Sequence, residues 1–209
     1  PIEWQLKTLA SLVPSLPSTM SRIDIELVLP DADSLAELIQ ILLDLNTLIP
    51  NLDALHLECY YYFSPKALPS TFLRALSGWP QLQELHVAPL PDIHLVLPSL
   101  TNLQTLHLLR QLEGSRKKIP IQLNTPWLAL IEALPPTLCK LDVHAAEFDL
   151  KVLKAFTDKL LTLPHLEDLC VGYLAEPLIP TPDQNYLFYN IAEMTSLRHF
   201  RLYEPELPM

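Results

Sequence analysis

Glycine is scarce in this 209-residue chain, which has only Gly78, Gly114 and Gly172. That excludes the G-x-G-x-x-G dinucleotide fingerprint, a glycine-rich phosphate loop and the G-x-S-x-G elbow, all of which need closely spaced glycines. Cysteine is equally sparse. Cys59, Cys139 and Cys170 are odd in number and lack metal-type spacing, which predicts reduced thiols in or beside strands. No asparagine heads an Asn-x-Ser/Thr acceptor, and with free thiols this points to an intracellular, cytoplasmic or nuclear protein. Long apolar runs are missing as well. Asp44, Glu132 or a proline interrupts each one short of the roughly 20 residues of a membrane span. The opening "PIEWQLKTLA" has neither the basic start nor the apolar run of a signal peptide.

Positive charge is the last thing in short supply. The net charge is −10, with nine acids against two bases in residues 1–60 and twelve against six in 131–209. Only the middle, 61–130, reverses to six bases against three acids, with "SRKK" at 115–118. One basic loop in an acidic chain is not the broad basic face of a nucleic-acid binder. Catalytic signatures are absent too. Glu167 and Asp168 are neighbours in a strand pattern, so they point to opposite faces and cannot work as a carboxylate pair. The expectation is no enzyme and no cofactor.

What the chain has in abundance is leucine in one arrangement. Aligned on L-x-x-L-x-L, seven copies appear: "MSRIDI" at 20, "LDALHL" at 52, "LQELHV" at 82, "LQTLHL" at 103, "LCKLDV" at 138, "LEDLCV" at 166 and "LRHFRL" at 197. Their starts lie 21 to 35 residues apart. Helical patterns fill most of the intervals. Ser34 and Glu37 read as a capping box for "LAELIQILLDL". Thr125 and Pro126 open "WLALIEAL", Asp149 precedes "LKVLKAFTDKLL", and Thr181 with Pro182 and Gln184 starts "QNYLFYNIAEM". Gly78 reads as a left-handed cap closing "STFLRALS". The shortest interval leaves too little room for a helix, so "APLPDIHLVLPSL" is expected to run extended. Pro50, Pro80, Pro135 and Pro164, each shortly before a strand motif, end the helical pattern, because proline cannot donate a backbone hydrogen bond.

A strand–loop–helix–loop unit repeated about every 30 residues is the signature of a leucine-rich-repeat solenoid. The expected fold is one α/β domain over 1–209 of about seven repeats, with a curved parallel sheet on the concave side and helices on the convex side. Neither the strand edge nor the helix face of one unit can be buried alone, and stacking buries both. The "LPxLxxLxL" strands, the variable linkers and the opening "IEWQLKTLASLVPSLPSTMSRIDIEL" resemble the irregular leucine-rich-repeat part of F-box-type proteins, especially fungal ones. That resemblance implies protein binding, in the form of substrate recognition by an F-box-like adaptor.

Strand alternation assigns the faces. If motif positions four and six point to the core, positions three, five and seven point to the open side. Position five reads Asp24, His56, His86, His107, Asp142, Cys170 and Arg201. Position seven contributes Glu26, Glu58 and His144. Three readings of the histidines stay open: tolerated half-polar strand residues, a partner surface responsive near pH 6.5, or a metal site of His56, His86 and His107 joined by Asp142 or His144. "YYYF" at 60–63 is expected to follow the second strand, placing Tyr60, Tyr61 and Tyr62 on the rim as weaker contact anchors. A protein partner is expected, and the end repeats are expected to be covered by that partner, a second copy or further sequence. A structural role in a larger assembly is the remaining alternative.

Overall fold

In the computed structural model, the described residues are 2–29, 31–61, 69–87, 92–108, 126–143, 150–172 and 184–203. They form one open, seven-stranded, all-parallel sheet in which spatial order equals chain order. The strands are β1 (Arg22–Leu29), β2 (Ala54–Tyr61), β3 (Glu84–Val87), β4 (Thr105–Leu108), β5 (Lys140–Val143), β6 (Asp168–Gly172) and β7 (His199–Tyr203). Helices α1 (Ile2–Leu12), α2 (Ala32–Leu48), α3 (Ser70–Ser77), α4 (Trp127–Glu132), α5 (Leu150–Leu160) and α6 (Gln184–Glu193) flank it. The result is a stack of strand–connection units, an arrangement compatible with a solenoid.

Register is the same at every junction. Position four pairs across the sheet as Ile23, Leu55, Leu85, Leu106, Leu141, Leu169 and Phe200. The five leucines are fully buried, and Phe200 packs on the same core half-covered. A second device fixes the stack. At all six junctions the carbonyl of position two accepts from two successive N–H groups of the next unit, at 2.8–3.1 Å, beginning with Ser21 and ending with Glu167. Each incoming strand is thereby held in register by the backbone, and its first donors are not left unpaired.

Side chains tie the turns together behind the sheet. The indole N–H of fully buried Trp79 donates to the Ile49 carbonyl one unit back (2.9 Å), and the Thr137 hydroxyl donates to the Leu103 carbonyl (2.6 Å). Leu153, Phe156 and Leu160 form the buried stripe of α5 at the expected spacing.

Several local expectations need correction. The cap of α2 is Asp31, whose carboxylate accepts from the Ser34 N–H and hydroxyl (both 2.8 Å), so Ser34 lies one turn inside the helix. The hydrogen bond from the Ser34 backbone holds that carboxyl below its ordinary range. Pro126 occupies the cap position of α4, one residue before the helix begins. Gly78 has φ −72°, an ordinary right-handed conformation; a Cβ there would stand 2.5 Å from the Asn46 amide, so a larger residue would have to push that side chain aside. That amide donates to the Ala75 carbonyl, tying α2 to α3. From Asp92 on, the short interval is not extended. It coils into two 3₁₀ turns, Ile93–Leu95 and Leu97–Ser99, entered through Asp92 in the left-handed region (φ 64°). A 3₁₀ turn buries Ile93 and Leu97 in less chain than a full helix needs. Tyr60 and Tyr61 are the last residues of β2, paired with Val28 and Leu29, and do not lie beyond the strand. Tyr62, His144 and the "SRKK" loop lie outside the described residues.

Candidate functional site on the open face of the sheet

The parallel register lines position five up as Asp24, His56, His86, His107, Asp142, Cys170 and Arg201, and position three as Arg22, Ala54, Glu84, Thr105, Lys140, Asp168 and His199. His56, His86 and His107 therefore stack on adjacent strands. Ring centroids lie 3.4 Å apart for His56–His86 and 3.8 Å for His86–His107, with planes within 25° of parallel. These gaps are shorter than the roughly 4.8 Å between strands, so the rings lean together into face-to-face contact.

The stack is fastened to carboxylates at one end. His56 places Nδ1 2.8 Å from the Asp24 carboxylate and Nε2 2.9 Å from Glu84 Oε1. His86 brings its Nε2 to 2.9 Å from the same Glu84 oxygen, yet without hydrogen-bonding geometry. Arg22 pairs with Asp24 at 3.2 Å, and its Nη2 stands 3.2–3.3 Å from both His56 nitrogens. Its Nη1 lies 3.6 Å from Glu84. His107 turns the other way, with Nδ1 3.4 Å from Asp142.

These contacts set the charge states. Burial opposes ionisation of Glu84, but the His56 hydrogen bond and the surrounding positive groups outweigh it and hold the carboxyl below its ordinary range. His86 is pushed down to about 3, by burial first and then by His107 and His56 on either side. It stays neutral at physiological pH, so a response of this face near pH 6.5 would not come from the central histidine.

The far end of the face is different. Asp142 and Cys170 share the register of the histidines but are buried. The Cys170 thiol is pushed up to about 12 by burial, by the charge of Asp142 and by its hydrogen bond to that carboxylate. Asp142 thus belongs to the protein's own packing and offers no open surface, contrary to its assignment as a contact residue. Position three carries the charge here: Asp168 accepts from Arg201 at 3.4 Å and lies 3.9 Å from Lys140. Asp24, Glu26 and Arg201 are exposed, and Glu58, in register with Glu26, is half-buried.

The structure therefore brings Asp24, His56, His86 and His107 together as expected, and adds Arg22 and Glu84, which the sequence reading does not single out. The available signal was Glu84 two residues before His86, since side chains two apart on a strand share a face. Among the described residues, the grouping able to hold a metal ion is His56, Glu84 and His86, whose donor atoms all lie within 4.8 Å of one another. His107, the third histidine of the alternative metal reading, is not part of it. No protein-family model matches the chain, and no curated protein matches it. No helix among the described residues is long and apolar enough to cross a membrane.

Proposed function

We propose that the chain is a leucine-rich-repeat solenoid that works as a protein-interaction module, with the open strand face as its docking surface. The observation that carries this reading is the unbroken backbone register across seven strands, which lines positions three and five up on one face and sets charged side chains along it at both ends, Arg22, Asp24 and Glu84 at one and Lys140, Asp168 and Arg201 at the other. Extended surfaces of this kind suit stacked repeats as binding platforms. Asp24 and Glu26 on β1 and Glu58 on β2 make the β1–β2 end acidic, which favours a basic segment of the partner. Substrate recognition within an F-box-like adaptor is the finer form of this reading and rests on the sequence resemblance.

The experiment compares wild type with the triple variant Asp24→Asn, Glu26→Gln, Glu58→Gln as bait in a lysate of the cells that express the protein. A specific partner should be retained by wild type, weakened by added salt and lost from the variant. Identical recovery by both baits would remove the acidic end from the docking surface.

A further inference from the structure

Between the first two histidines the donor atoms are arranged in a way that hydrogen bonding alone does not satisfy. A neutral His56 that donates Nδ1–H to Asp24 has its Nε2 lone pair 2.9 Å from the Glu84 carboxylate oxygen, with Arg22 Nη2, at 3.2 Å, as a donor to it. His86 Nε2 lies 2.9 Å from that same oxygen and has no hydrogen-bond partner. Two acceptors facing one another repel unless a cation stands between them. A single proton can join His56 to Glu84 but leaves His86 Nε2 unserved.

We propose that His56 Nε2, His86 Nε2 and Glu84 Oε1 are the three protein ligands of a divalent transition-metal site, of which zinc is the fitting example. Two imidazoles and one carboxylate form a donor set suited to zinc, with the fourth position left for water on the open side of the sheet. Zinc bonds of about 2.0–2.1 Å set tetrahedral donors about 3.3 Å apart, so Glu84 Oε1 must move only a few tenths of an ångström from each nitrogen. The two stacked rings must tilt apart so that both in-plane lone pairs converge on the ion. Asp24 supplies an independent mark of such a site. A ligating histidine ordinarily gives its second ring N–H to a carboxylate, which fixes the tautomer and aims the other nitrogen at the metal. His56 and Asp24 have that geometry, at 2.8 Å.

The electrostatics agree. With neutral imidazoles, Asp24 and Glu84 bring two negative charges and Arg22 one positive. His107 and Asp142 are the next groups along the row, and neither offers a donor to the cluster. Arg22 shields both carboxylates of the metal-free protein, and it is the group an incoming cation must compete with. The site does not depend on the protein-docking reading, since zinc can be measured with no partner present.

The test uses the untagged full chain, stripped with a chelator and titrated with Zn2+ against a chromophoric competitor, with Co2+ absorption as the read-out of geometry. One equivalent should bind, and His56→Gln, Glu84→Gln or His86→Gln should each weaken it by ~10-fold or more, with Asp24→Asn lowering affinity about 10–100-fold. His107→Gln, which removes a stacking neighbour but no donor, should have a far smaller effect. Arg22→Gln, at an exposed position where folding is not at risk, should tighten binding. Zinc should also raise the melting temperature of wild type but not of Glu84→Gln. Absence of stoichiometric zinc, a loss in His107→Gln as large as in His86→Gln, or weaker binding by Arg22→Gln would each overturn the assignment.

Discussion

The two ends of the open face share one backbone register and use it differently. Across β1–β4, position five carries Asp24 and three stacked imidazoles, and Asp24, His56 and His86 reach sideways to Arg22 or Glu84 at position three. Across β5 and β6 the same position carries Asp142 and Cys170, both buried, and charge pairing shifts to Lys140, Asp168 and Arg201. The repeat thus fixes where a side chain starts, while its length and chemistry decide whether the spot is surface or interior. A thiol is short enough to be covered, whereas an imidazole reaches past the strand and meets its neighbours.

Position four shows no such division, and it carries the largest expected effect. Leu106 in the histidine half and Leu169 in the thiol half are both fully buried in one core. Leu106→Ala and Leu169→Ala should each cost about 2–5 kcal/mol, the range for buried leucine truncations. Chemical denaturation measures both. A clearly smaller loss at Leu169 would mean that the two halves differ in packing as well as in surface chemistry.

Next come the pH limbs, which divide between the halves. His86 binds a proton near pH 6.5 when unfolded but only near 3 when folded. Acid between those values therefore favours the unfolded chain, and stability of the metal-free protein should fall as pH drops through that window. Cys170 behaves in the opposite sense. The unfolded thiol ionises near 9, while the folded one holds its proton to about 12, so stability should fall as pH rises between them. His86→Gln should flatten the acid limb and leave the alkaline one, and Cys170→Ala should do the reverse. Urea midpoints from pH 4 to 11 check both, and a variant that flattens the wrong limb would break the division.

How much of this was legible beforehand follows from the physics of strands. The repeated L-x-x-L-x-L alternation, with proline before four of its copies, sufficed to place all seven strands and every register pair, including the histidine row. Details that depend on one atom meeting another were not legible. Asp31 displaced Ser34 as the cap because either can accept from a helix N–H, and only the chain's entry angle chooses. Gly78 leaves room for the amide of Asn46, a residue 32 positions away, and its own backbone angles are ordinary. Glu84 went unassigned because sequence shows which face a residue takes but not which neighbour it leans toward. Burial of Asp142 and Cys170 is likewise a property of the assembled sheet.

The smallest expected effect lies at the last junction, where Arg198 and Glu167 form an ion pair at 3.6 Å with side chains 70% and 49% exposed. Water screens such a pair and both side chains lose freedom in forming it, so Arg198→Ala should change stability by about 0–1 kcal/mol. The backbone supplies what the pair does not. The Glu167 carbonyl accepts from the N–H groups of Arg198 and His199 at 2.8 and 2.9 Å, the same two-donor contact as at the five earlier junctions. Neither donor depends on the Arg198 side chain, so β7 should keep its register in the variant. Hydrogen exchange at His199 and urea denaturation at low and high salt would test this. Fast exchange at His199 in Arg198→Ala would show that the thiol end needs its surface charge to hold the final strand.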